Sequence, residues 1–188
     1  MPHRIEITLK DEVRDPRGER IKREIEHFLH LNVEAVRAID VYTVDAQLSP
    51  EELTRVAAGP FCDPVIQHFH VDQPAASGFD FLIEVGFRPG VTDNVGRTAG
   101  EAIGYLLGRP LANGEGVYTS VQYLISGTLS ADDAEKIATG LLCNTLIQRY
   151  QILDAAGFAT QGGVAPFVPK VQGEAKAEVN EIDFEVSD

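Results

Sequence analysis

The amino-acid sequence predicts an α+β fold in which one unit, ordered strand, helix, one or two strands, helix, strand, occurs twice in tandem. Three observations carry that expectation: two collinear series of matching residues, period-two apolar alternation in several stretches, and capped amphipathic stretches between them. Ile5-Glu6-Ile7 reappears 78 positions later as Ile83-Glu84-Val85. At the same offset Val13, Asp15, Gly18, Ile25 and Leu29 meet Val91, Asp93, Gly96, Ile103 and Leu107. The offset then becomes 81, and Leu48-Ser49, Gly59, Cys62 and Ile66-Gln67 meet Leu129-Ser130, Gly140, Cys143 and Ile147-Gln148. Three extra residues in one loop of the second copy account for the change.

The elements follow in order. Ile5, Ile7 and Leu9 alternate as on a strand with one apolar face, and Ile83, Val85 and Phe87 repeat the pattern. Asp15 is then a helix N-cap with Pro16 at the first helical position, where a missing N–H costs nothing; Asp93 is its counterpart. Ile21, Ile25, Phe28 and Leu29 form a single apolar stripe behind the first cap, and Ala99, Ile103, Leu106 and Leu107 behind the second. The stretches Val33–Val44 and Gly116–Gly127 read as a bent strand or a strand pair. Ser49-Pro50-Glu51-Glu52 is a capping box opening a second helix, and Ser130-Ala131-Asp132-Asp133 repeats it with a shorter acid. Final strands are expected near Val65–Val71 and Leu146–Leu153.

This order predicts the ferredoxin-like pattern, helices on one face of a mostly antiparallel sheet. Two half-sized units are expected to share that sheet as a two-layer sandwich, because about 75 residues alone bury only ~60% of their unfolded surface. The boundaries are a first unit over 1–73, a join over 74–78, a second unit over 79–157, and a Gly/Pro-rich then acidic tail over 158–188. From Glu174 onward the tail holds six acids against one lysine, a composition that does not support a core of its own.

The chain has 188 residues and a formal net charge of −13, which repels phosphate backbones and anionic surfaces, so neither nucleic acid nor membrane is expected as a partner. Two cysteines make no disulfide framework, and no leader or spanning apolar run is visible, so the expected location is the cytoplasm.

Few residues invite chemistry. His68 and His70 share a strand face, but no third ligand has motif spacing, so no metal site is expected. His27 and His30 read as solvated helix surface, and Cys62 and Cys143 as small buried residues repeated at one structural position. Gly96, Gly100 and Gly104 lie on one helical face and predict close approach to a sheet or a partner. The segment Arg88–Arg97 joins a turn, a helix start and two arginines, so Arg88, Thr92, Asn94 and Arg97 are candidates for an anion or partner contact. Asp93 competes there for the same amides. No catalytic residue is expected.

Leu9-Lys10-Asp11-Glu12-Val13-Arg14-Asp15-Pro16-Arg17-Gly18 and Asp63-Pro64-Val65-Ile66-Gln67-His68-Phe69 resemble PurS, the small subunit of formylglycinamidine ribonucleotide synthase. The second copy, through Arg88–Gly96 and Cys143–Gln148, resembles the next part of large single-chain forms in which two PurS-like units precede the synthetase domain. It has Asn94 where the first copy has Pro16, and Thr145-Leu146 where the first has Pro64-Val65. The resemblance spans about residues 4–155, with the tail similar to the linker that follows. It implies a non-catalytic module within an ATP-dependent carbon–nitrogen ligase of purine biosynthesis. Such a module bridges synthetase and glutaminase parts for ammonia transfer, and self-association is compatible with that role. It implies no cofactor on this chain, with ATP, Mg and glutamine used elsewhere in the enzyme. The competing expectation is a regulatory module that binds a small effector between the two copies.

Overall fold

A computed structural model describes residues 1–170. Six strands form one antiparallel sheet: β1 (His3–Leu9), β2 (Ala35–Asp45), β3 (Gln67–Val71), β4 (Phe81–Phe87), β5 (Gly116–Ser126) and β6 (Gln148–Asp154). Their order across the sheet is β3-β1-β2-β5-β4-β6, with β2 and β5 paired over their full lengths from Ala35↔Ser126 to Asp45↔Gly116. Read inward from either edge, the order of strands is the same. The central register pairs Asp40 with Val121, so the two halves of the sheet run in opposite directions about that point.

Helices α1 (Pro16–Glu24), α2 (Pro50–Ala58), α3 (Asn94–Leu107) and α4 (Ala131–Ile137) lie on the face that carries Ile5, Ile7, Ile83, Val85 and Ile125. A π-helical turn continues α1 over Ile25–Leu29, and another continues α4 over Ala138–Leu142. The stretches expected to bend or pair are single strands of 11 residues each. Phe28 leaves the expected stripe and is 65% exposed, because the wider π turn rotates it off the core face.

The core on this face is divided across the halves. One cluster joins Ile5 and Ile7 of β1 with Leu53 and Val56 of α2, and with Ala99 and Ile103 of α3. The other joins Ile21 of α1 and Ile25 with Ile83 and Val85 of β4 and Ile137 of α4. Each helix bundle thus needs strands and helices from both halves.

The opposite face is covered as well, which makes the helices on one face only part of the architecture. Ile39, Val41, Leu82 and Leu124 meet Ala75 and Ala76 of the join, Phe79, Phe158 and Val164. Phe158 belongs to α5 (Ala155–Gln161), a helix that crosses the boundary expected at 157. It starts where Asp154 accepts the amide of Gly157 at 2.6 Å, a cap that the sequence reading passed over. The acidic stretch from Glu174 lies outside the described residues.

Candidate interaction surface

The helix starts explain the Asp-x-x-Gly spacing. Asp15 Oδ1 accepts the Gly18 amide at 2.8 Å, and its Oδ2 accepts the Ala38 amide of β2, also at 2.8 Å. Asp93 does the same for Gly96 at 2.7 Å and for Thr119 of β5 at 2.6 Å, with the Thr119 hydroxyl at 2.9 Å. One carboxylate therefore caps a helix and rivets it to a central strand. A Cβ at Gly18 would stand 2.1 Å from the Val36 carbonyl oxygen, and one at Gly96 would stand 2.3 Å from that of Val117. Only glycine fits this approach. Ser49 and Ser130 each complete a capping box, with Glu52 and Asp133 respectively.

The candidates for anion or partner contact stand in different surroundings. Arg88 turns to the Gln148 carbonyl at the start of β6, its Nε donating at 2.9 Å. Thr92, Asn94 and Arg97 are exposed, and Arg97 lines a groove along α3. Asp93 holds the Gly96 amide that an anion would use.

What the structure does present outward is a pair of aliphatic turns. The final strands begin later than expected, so Val65 and Leu146 stand in turns, 75% and 86% exposed, beside Ile66 and Ile147. Both turns are built alike. Asp63 Oδ1 accepts the Val65 amide at 2.9 Å and Gln67 Oε1 accepts the Asp63 amide at 2.8 Å. Asn144 and Gln148 repeat this with the Leu146 amide at 3.2 Å and the Asn144 amide at 2.8 Å. A cation stands beside each turn, just past the end of β1 or β4: Lys10 Nζ donates to the Pro64 carbonyl at 2.7 Å, and Arg88, at the matching place, donates to the Gln148 carbonyl where β6 begins. Cys62 and Cys143 are buried beneath the turns. Burial pushes both thiols up from their ordinary range, the Asp63 charge adding to the effect at Cys62, so neither is set up as a thiolate.

The strand order puts these turns at opposite corners of the sheet. Each adjoins the end of β1 or β4, those strands run antiparallel, and β3 and β6 are the two edges. Five strand spacings of ~4.8 Å separate the edges by roughly 24 Å. The molecule thus offers two similar, rigidly built apolar corners facing away from each other.

A polar cluster lies under the other face, and the sequence reading missed it. Arg4 donates to Glu6 at 2.7 Å and to Glu84 at 2.5 Å, while Ser120 and Gln122 donate to Glu84 at 2.7 and 3.1 Å. Glu6 also accepts the Ala75 amide at 2.7 Å and so ties down the join between the halves. Burial works against the Arg4 guanidinium, but the carboxylates of Glu84 and Glu6 outweigh it and hold its pKa above the ordinary value. Burial lowers that of Arg149, with Glu84 partly offsetting it, and the Phe167 ring lies 3.6 Å from the Arg149 guanidinium carbon. The signal available in sequence was an acid at the same place in both first strands. It looked solvent-facing because nothing there showed that residues 74–79 and α5 cover that side.

His68 and His70 lie on edge strand β3, opposite Thr8 and Glu6. Among the described residues no group of three or more His, Cys, Asp or Glu gathers as metal ligands, and no helix is long and apolar enough to cross a membrane. Along α3, Gly100 and Gly104 floor a groove of about 790 Å³ walled by Tyr105, Leu111 and Arg109.

Residues 3–74, from the start of β1 to just past β3, match the family model of PurS, phosphoribosylformylglycinamidine (FGAM) synthase. This part of the chain is a PurS-like region. No curated protein matches the chain.

Proposed function

We propose that this chain is a non-catalytic assembly module of a glutamine-dependent, ATP-using FGAM synthase of purine biosynthesis. In this reading two PurS-like units are fused in tandem, and residues 79–157 are the second. The module holds the synthetase and glutaminase parts in register for ammonia transfer. ATP, Mg and glutamine are bound by those parts, in the cytoplasm.

The observation that carries the reading is the PurS match over residues 3–74. The tandem arrangement is supported by the repeated element order, the like strand order from each edge, and the paired Asp15 and Asp93 rivets. A bridging role is supported by the two aliphatic corners, since a bridge needs two separated contact points.

The test is to assay the synthetase part with glutamine plus the glutaminase part, and with free ammonia, each with and without this chain. Restoration of glutamine-dependent turnover by a chain inert alone is the expected result. Val65→Asp and Leu146→Asp should each weaken assembly by on the order of 10- to 100-fold, the worth of one buried aliphatic side chain. Both residues are exposed in the isolated chain, so its melting temperature should not move. Unchanged turnover and no complex would refute the role.

A further inference from the structure

The face of the sheet away from α1–α4 carries the same pocket twice, open in the first half and filled in the second. In the second half Thr43, Ser120 and Arg149 line it, together with Tyr118 and Phe87. Phe167 and Pro169 of the same chain occupy it, and about 10 Å³ remains, room for one water. The Phe167 ring lies 3.6 Å from the Arg149 guanidinium carbon, so the cation stacks on the ring. At the offsets of the repeat, the first half has Leu124, Ile39 and His68 at the places of Thr43, Ser120 and Arg149, and Arg37 and Leu9 at those of Tyr118 and Phe87. The register agrees: His68 pairs with Thr8 as Arg149 pairs with Gly86, and Arg37 with Leu124 as Tyr118 with Thr43. All five first-half residues line a pocket of about 480 Å³.

The chain fills one pocket and not the other because its course differs after β3 and β6. Residues 72–80 carry it across four strand spacings, ~19 Å, from β3 to β4, and nine extended residues reach at most ~30 Å. Ala75 and Ser77 are their contribution to the wall of the first pocket. After β6 no crossing is required, and α5 with the residues behind it turns back over the sheet.

We propose that the first-half pocket binds an extended segment of a partner polypeptide in which an aromatic residue stands two places before a proline, the ring lying against His68, Ile39 and Leu124. The lining suits such a segment. Leu9, Ala38, Ile39 and Leu124 are apolar, and the hydroxyls of Thr8 and Ser77 can bond an extended backbone. The charged groups are engaged with one another or with the main chain. Asp15 takes two amides at 2.8 Å each, and Arg14 holds Glu19. Lys10 donates to the carbonyls of Pro64 and Val65 at 2.7 and 3.0 Å, and Arg37 stands 3.6 Å from Asp11. A free anion would meet three carboxylates here, so an uncharged side chain is the fitting occupant. A second copy fits less well, because its own Phe167 and Pro169 are already seated in its second half. The site does not depend on the assembly role proposed above.

The test titrates the full chain with a capped, uncharged peptide of the sequence at 164–169, Val-Ala-Pro-Phe-Val-Pro, and follows the imidazole signals of the five histidines by NMR. The His68 and His70 signals should shift and saturate while those of His3, His27 and His30 stay. Half-saturation should fall on the order of 1 mM, as for a short segment that must be ordered on binding. Replacing the peptide's Phe by Ala should weaken binding on the order of 10- to 100-fold. His68→Ala should weaken it too, whereas His68→Arg should keep it, since a guanidinium then stands as Arg149 does in the second half. His68 is exposed, so neither variant should move the melting temperature. Histidine signals unmoved at about 10 mM peptide, tenfold above the expected midpoint, would overturn the proposal. Equal binding of the Phe and Ala peptides would do so as well. His68 and His70 signals that change with protein concentration in the absence of peptide would also overturn it, by giving the pocket to a second copy.

Discussion

Removing the Asp93 carboxylate should cost far more than a surface helix cap usually does. In Asp93→Ala three donors lose their acceptor: the Gly96 amide at 2.7 Å, the Thr119 amide at 2.6 Å and the Thr119 hydroxyl at 2.9 Å. Loss of the cap alone costs about 1 kcal/mol. The Thr119 amide is part-buried between α3 and the sheet, and losing a bond to a charged acceptor there costs about 1.5–3 kcal/mol. The hydroxyl can turn to water and adds little. The sum is about 3 kcal/mol, which for a chain of this size lowers the melting temperature by roughly 6–12 °C. Asp93→Asn keeps one acceptor oxygen and should lose about half as much, because its amide would face the Thr119 donor. Urea denaturation is the assay, with an unchanged slope showing that only stability has altered. An Asp93→Ala chain within about 0.5 kcal/mol of the parent would refute the rivet and leave Asp93 as an ordinary solvated cap.

Two more outcomes follow from the same structure. Chains cut within 74–78 should give halves that associate or precipitate alone and recover a sharp melting transition only when mixed, since each helix-face core draws on both halves. Two stable monomeric halves by sedimentation and circular dichroism would contradict that core. Acid should weaken the fold through its capping carboxylates. Bonds from the Ser49 amide lower the pKa of Glu52, the Ser130 hydroxyl that of Asp133, and the amides of Gln47 and Ala112 that of Glu115. A folded-state pKa below the unfolded value gives stability that is complete above about pH 4.3 and is lost as pH falls through the folded value. The melting temperature should therefore hold level above that range and drop below it. The drop should be shallower in Glu52→Gln and Glu115→Gln, and an identical acid limb in both variants would refute their part in it.

The sequence by itself determined what is local or periodic. Asp15, Ser49, Asp93 and Ser130 start helices because a short polar side chain reaches an amide three residues ahead, a geometry independent of the rest of the chain. Alternation in Ile5-Glu6-Ile7 and Ile83-Glu84-Val85 determined strands and sorted their side chains between two faces. The stretch from Lys10 to Gly18 and the one from Asp63 to Phe69 carried a likeness to PurS that the match over residues 3–74 supports for that part.

Only the tertiary structure decided what covers each face. Glu6 and Glu84 look solvated in an alternating strand, yet residues 74–79 and α5 bury them with Arg4 and Gln122. Val65 and Leu146 look like strand interior, yet Asp63 and Asn144 fold them into turns whose outer side has no neighbour among the described residues. The open groove on α3 likewise depends on where residues 109–118 return against its glycines. The physical reason is common to all three. Periodicity specifies which side chains point the same way, but burial depends on which distant segment arrives there. Such arrivals are set by pairing across the halves, here β2 with β5 and α3 over β1, at separations no local pattern encodes.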